Sequence, residues 1–114
     1  MKKITTIYAL LLMLISFAVL ADPHLDEAIT HTKAAVEHGK AGHASVLVEH
    51  TVPALEHAMA AVIIAKGLTL SHINNAITDL EQAKKHGKEG DAHVGVATTY
   101  AETALEHLEA AAKK

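Results

Sequence analysis

Residues 24–38 read HLDEAITHTKAAVEH, with histidine at the first, middle and last positions. His24, His31 and His38 are seven residues apart, which is two turns of an α-helix. With His24 at heptad position g, Leu25 and Thr32 fall at a, Ala28 and Ala35 at d, and Ile29 and Val36 at e. Those positions form the apolar stripe of a helix that packs in a bundle. The stretch therefore reads as an amphipathic helix whose histidines run along one edge of its buried face.

The same frame holds for the rest of the chain. His43, His50 and His57 take position g of a second segment, beside Leu47, Val48, Ala54, Leu55, Ala58 and Val62. His72 and His86 take it in a third, with Asp79 between them; His93 and His107 take it in a fourth, with Tyr100 between them. All ten histidines thus share one phase beside the core.

The segments are related in pairs. Shifted by 48, residues 24–42 fall on 72–90, and His24, Ala28, Ile29, Thr30, Ala35, His38, Gly39, Lys40 and Gly42 recur. Two copies of one helical hairpin follow. Helices are predicted near 23–38, 44–66, 72–86 and 92–112. Asp22-Pro23 supplies an N-cap and a first-turn proline. HGKAG and HGKEG supply glycines to end the first and third helices. Ser71 and Asp91 are expected to cap the third and fourth, GLTLS to link the hairpins, and Pro53 to kink the second helix. With every connection short, the fold class is all-α: an up-down antiparallel four-helix bundle made of two repeated hairpins, 22–66 and 71–112.

Residues 1–21, MKKITTIYALLLMLISFAVLA, carry two lysines, an apolar run and Val19 and Ala21 at −3 and −1 of a cleavage site. They read as a secretory signal, cleaved after Ala21, and the expected location is periplasmic. What remains is one domain, residues 22–114. Without Lys2 and Lys3 it carries 8 basic and 13 acidic residues, a net charge of −5 with neutral histidine, and no arginine. That balance argues against nucleic acid and anionic membranes. The absence of cysteine excludes thiolate zinc sites, iron–sulfur clusters and covalent haem.

Ten histidines in one phase point to metal. Histidines seven apart on one helix are separated by about 10.5 Å of rise, too far to share an ion. Their partners must come from the facing helix. Across an antiparallel hairpin, facing residue numbers have a constant sum. His24/His57, His31/His50 and His38/His43 sum to 81; His72/His107, Asp79/Tyr100 and His86/His93 sum to 179. Two ladders follow: three His–His rungs, then two with a non-histidine rung between. The second loop is longer by two residues, so the ladders are expected to differ, one being looser. Glu27, four before His31, is placed to complete or orient a site, whereas Glu37, Glu49, Glu56 and Glu106 fall at position f, on the solvated face.

The HLDEAITHTKAAVEHGKAGH pattern, the KKHGKEGDAHVGVAT hairpin and AETALEHLEAA resemble the small metal-binding protein (SmbP-like) family of bacterial periplasmic proteins, over nearly all of residues 22–114. The resemblance implies a four-helix bundle that binds several Cu(II) ions, and other divalent metals less selectively, without catalysis.

Imidazole donors suit Cu(II), Ni(II) and Zn(II), of which the resemblance favours Cu(II), and a single mature methionine, Met59, argues against Cu(I). Sites of two or three ligands on an open flank suit a buffer or scavenger, with acid near pH 6 releasing the metal. The expected partners are metal ions, with no nucleic acid and no membrane after cleavage, and the chain is expected to be a monomer. An enzyme is not expected: no nucleophile motif, HExxH or phosphate loop is present. The alternative is a metal-free, pH-responsive helical bundle whose imidazoles repel one another once protonated.

Overall fold

The structure, a computed structural model, describes residues 22–113, so the expected signal segment lies outside the described residues. Four α-helices account for nearly all of them: α1 (Pro23–Lys40), α2 (Ala44–Val62), α3 (Gly67–Lys88) and α4 (Val94–Ala112), with a single 3-10 turn at Asp91–His93. No strand occurs among the described residues. Each helix packs on two neighbours, in the order α1–α2–α3–α4 around a ring that closes α4 on α1.

The heptad stripe is the buried face. In α1, Leu25, Ala28, Thr32, Ala35 and Val36 are buried, and Ile29 packs at the core's edge. In α3, Ile73, Ala76, Leu80 and Ala83 are buried, and in α4, Ala97, Ala101, Ala104, Leu108 and Ala111. Twelve of the nineteen buried apolar residues are alanine, so the helices approach closely around a thin core. Three buried threonines keep their hydroxyls satisfied within the helix: Thr32 donates to the Ala28 carbonyl, Thr51 to Leu47 and Thr98 to Val94, each at 2.7 Å.

Close approach, rather than helix termination, explains two of the glycines expected to end α1 and α3. Gly39 and Gly87 lie inside the last turns of α1 and α3 and are buried. A Cβ on Gly39 would meet Thr98 Oγ1 and sit 2.8 Å from Leu47 Cδ1; one on Gly87 would sit 2.6 Å from Val48 Cγ2. The first glycine of each HGKxG loop is a packing contact. The second ends the helix: Gly42 and Gly90 take φ of 82° and 100°, a left-handed conformation that glycine enters without steric cost. These contacts join the end of α1 to the start of α4, and the end of α3 to the start of α2. Opposite ends of neighbouring helices meet, as an antiparallel bundle requires.

Other boundaries also move. Asp22 caps α1, accepting from the backbone N–H groups of His24 (3.0 Å) and Leu25 (3.2 Å). Ser71 caps nothing, because α3 already starts at Gly67; GLTLS is its first turn rather than a linker. The chain reverses at Gly67, whose φ of 59° ends the link from Val62 and leaves Ile63, Ile64 and Leu68 exposed. Asp91 makes no capping bond to α4 and opens the 3-10 turn instead. The second helix runs unbroken through Pro53. Proline has no N–H to give the Glu49 carbonyl.

Candidate metal centre

Position g places every histidine at the border of core and solvent. His24 and His43 are exposed and the other eight are half-buried. Between α1 and α2 the rings meet in the expected rungs. His24 and His57 bring their Nδ1 atoms to 3.2 Å, and His31 and His50 to 3.5 Å. The His38 and His43 rings are 6.0 Å apart, centre to centre. In the His24/His57 and His31/His50 pairs one ring N–H donates to the other ring's nitrogen, the tautomers setting which.

The rungs are joined by diagonals. His31 stacks on His57, with centroids 6.0 Å apart and planes 6° from parallel, and His38 stacks on His50 at 5.4 Å and 7°. The six imidazoles make a continuous zigzag from His24 to His43. Rung pairs are tilted at 33–37°, whereas diagonal pairs are close to parallel. Imidazole lone pairs lie in the ring plane, so the lone pairs of parallel stacked rings do not converge. The facing nitrogens of the rungs are the ones placed to share an ion.

Between α3 and α4 the same construction recurs. His72 and His107 have centroids 5.8 Å apart, and His86 and His93 5.9 Å. The two ladders are expected to differ, one being looser: the ring centroids of the second are spaced as in the first, but its rungs show no nitrogen–nitrogen contact like those of His24/His57 and His31/His50, and His72 Nδ1 and His86 Nδ1 have no hydrogen-bond partner. The longer loop of the second ladder is absorbed by Gly90 and the 3-10 turn, outside the helices. The two residues that interrupt the phase lean towards neighbouring rungs. Tyr100 stacks on His86 at 5.6 Å and 7°, and Asp79 Oδ2 lies 3.8 Å from His107 Nε2. Burial raises the Asp79 carboxyl above its ordinary value, and the nearby His107 draws it part of the way back.

Two carboxylates join histidine pairs. Glu27 Oε2 lies 3.9 Å from His31 Nε2, and Glu27, His31 and His57 place one donor each within 4.8 Å of one another. His86, Glu89 and His93 do the same. Glu37, Glu49, Glu56 and Glu106 are exposed, as expected of position f. Glu89 was missed in the sequence because it sits in the loop, outside the heptad frame. Its four-residue spacing to His93 was the available signal.

A family model described as small metal-binding protein matches residues 1–111. The chain belongs to the small metal-binding protein family. No curated protein matches it. Membership of a metal-binding family and the clustered His and Glu donors agree on a metal ion as the ligand. Among the described residues no helix is long and apolar enough to cross a membrane.

Proposed function

We propose that this member of the small metal-binding protein family takes up, buffers or scavenges divalent transition metals, chiefly Cu(II) and also Ni(II) and Zn(II), through its inter-helix histidine rungs, in the periplasm and without catalysis. The observation that carries the reading is the facing of imidazole nitrogens at 3.2 Å in His24/His57 and 3.5 Å in His31/His50. Two nitrogens each about 2.0–2.1 Å from one ion stand roughly 3 Å apart, so the rungs hold their donors near ligating distance before metal arrives. The stacked diagonals fix the ring planes. The pairs stand on a half-exposed flank, and the remaining coordination positions of each ion are left to water, which favours exchange over permanent retention.

The ligand set is neutral nitrogen with an occasional carboxylate, which suits Cu(II), Ni(II) and Zn(II) and gives no soft sulfur for Cu(I). Thirteen acidic and ten basic residues in the full chain leave a negative balance, and removal of the amino-terminal lysines deepens it, which draws cations to the surface. The secretory reading of residues 1–21 supports a periplasmic role, where a cysteine-free chain has no thiols to oxidise. A monomer suffices, since each rung is built from two helices of one chain.

Titration of the cleaved protein, residues 22–114, with Cu(II), Ni(II) and Zn(II), with bound metal counted per chain after dialysis at neutral pH, tests the reading. Several ions per chain, with Cu(II) held against the other two, is the expected result. Protein that emerges from dialysis without metal would leave only the pH-responsive bundle.

A further inference from the structure

The α3–α4 turn contains a third donor that its counterpart lacks. Glu89 is the C-cap of α3, with φ −78° and ψ −4°. Ala41, at the corresponding place after α1, has φ −80° and ψ −2°. The backbones match, but only the second turn supplies a carboxylate. Glu89 Oε2 lies 3.2 Å from His93 Nδ1 and 4.0 Å from His86 Nδ1. His86 Nδ1 is buried and has no hydrogen-bond partner, although a buried polar atom is normally paired. One oxygen and two ring nitrogens therefore converge, and one of the nitrogens is unsatisfied.

We propose that His86, Glu89 and His93 form a three-donor N2O site for a divalent transition-metal ion, which fills before the two-histidine rungs. The inference rests on the metal-binding reading above and adds a ligand and a loading order to it. A carboxylate adds a charged donor to a rung that is already assembled, and it is carried on a short turn that needs little ordering. Glu27 is not equivalent. Its group takes His31 from one rung and His57 from another, and those two rings lie within 6° of parallel, against 24° for His86 and His93. Binding there disrupts two rungs, whereas binding at Glu89 uses one intact. Tyr100 has a positioning role in this arrangement: stacked on His86, it holds the ring that carries the unpaired nitrogen.

The test is a Zn(II) titration of metal-free protein, residues 22–114, followed by histidine ring resonances in ¹H–¹⁵N NMR, with first-ion affinity measured by competition against a chromophoric chelator. Wild type, Glu89→Gln and Glu37→Gln are compared, with helicity checked by circular dichroism; both side chains are solvent-exposed, so neither change disturbs the core. The first equivalent is expected to shift the His86 and His93 rings before the other eight. Glu89→Gln is expected to abolish that precedence and weaken the first ion by at least about tenfold, the scale on which even an outer partner of a ligand matters. Glu37→Gln is expected to leave both unchanged. Early shifts in the α1–α2 histidines, or a Glu89→Gln titration that overlays the wild type, would overturn the loading order while the metal-binding reading stood. Failure of the wild type to take up Zn(II), Cu(II) or Ni(II) would remove both.

Discussion

His24 and His57 are 33 residues apart in sequence and their Nδ1 atoms are 3.2 Å apart in space. One lies in the first turn of α1 and the other in the second half of α2. Their meeting fixes the register of the hairpin, because His31/His50 and His38/His43 follow at one heptad each. The pair is a structural contact without metal, and in the proposed function it is also the chelating pair. The same two side chains thereby link packing to function.

Removing one rung should remove one ion. His24→Ala with His57→Ala deletes the outermost rung of the first ladder and leaves the inner two. Bound Cu(II) per chain, counted by elemental analysis after dialysis, is expected to fall by one. Metal-free stability should move by no more than about 0.5 kcal/mol, since these rings stand at the border of the core rather than within it.

Metal should raise the melting temperature, and acid should reverse the effect. An ion bridging two helices binds the folded chain and finds no preformed pair in the unfolded one. At a free concentration 100 times the dissociation constant, each site adds about 2.7 kcal/mol. In a domain of this size, 1 kcal/mol corresponds to roughly 4–8 °C. Imidazole must be deprotonated to ligate, so the increment is expected to be full at pH 7.5 and largely lost by about pH 5. Calorimetric scans with and without excess Cu(II) at both values measure it; coincident scans at pH 7.5 would contradict the cross-linking role.

The packing glycines predict opposite effects from the same substitution. Gly39→Ala and Gly87→Ala place a methyl group 2.8 Å from Leu47 Cδ1 and 2.6 Å from Val48 Cγ2 respectively. Overpacking of this kind costs about 1–3 kcal/mol, more than the gain of up to about 1 kcal/mol that alanine brings to a helix. Gly95→Ala, with nothing within 4 Å of the added Cβ, should be neutral or stabilising. Urea unfolding of the three variants separates the cases. Equal midpoints would mean that the helices can part without cost at Gly39 and Gly87.

These glycines also mark how far the sequence could be read. Periodicity states which face of a helix turns inward, and it placed Leu25, Ala28, Leu47 and Leu55 in the core and the histidines beside it. It also paired His31 with His50 and His72 with His107, because an antiparallel hairpin leaves one register once the loop is short. It does not state how near the next helix comes. Gly39 and Gly87 follow a histidine near a helix end, where a stop and a close contact look alike; Thr98, Leu47 and Val48, from other helices, distinguish them. Asp91 stands where a cap is expected, but the chain tightens into a 3-10 turn and the side chain caps nothing. Glu89 lies outside every periodic frame, and its reach to His93 depends on the turn at Gly90.

Asp79 gives the last prediction, through the sign of its titration. Burial raises its carboxyl above the ordinary value, and His107 partly offsets the rise. A group whose folded pKa is raised stabilises the fold when protonated, and that contribution is lost as pH climbs through the folded value. At neutral pH the ionised, partly buried Asp79 therefore weighs against folding. Asp79→Asn removes the charge and keeps the shape, so the metal-free variant should melt above wild type at pH 8. As pH falls the advantage should shrink for two reasons: protonated His107 pairs with the ionised carboxylate, and below that the carboxyl itself becomes neutral. Paired melts at pH 8 and pH 4 measure the difference between the two proteins, which cancels the repulsion that all the imidazoliums share. A variant less stable than wild type at pH 8 would show that the Asp79–His107 contact outweighs the desolvation, and that the middle of the second ladder is held by an ion pair rather than tolerated as a break.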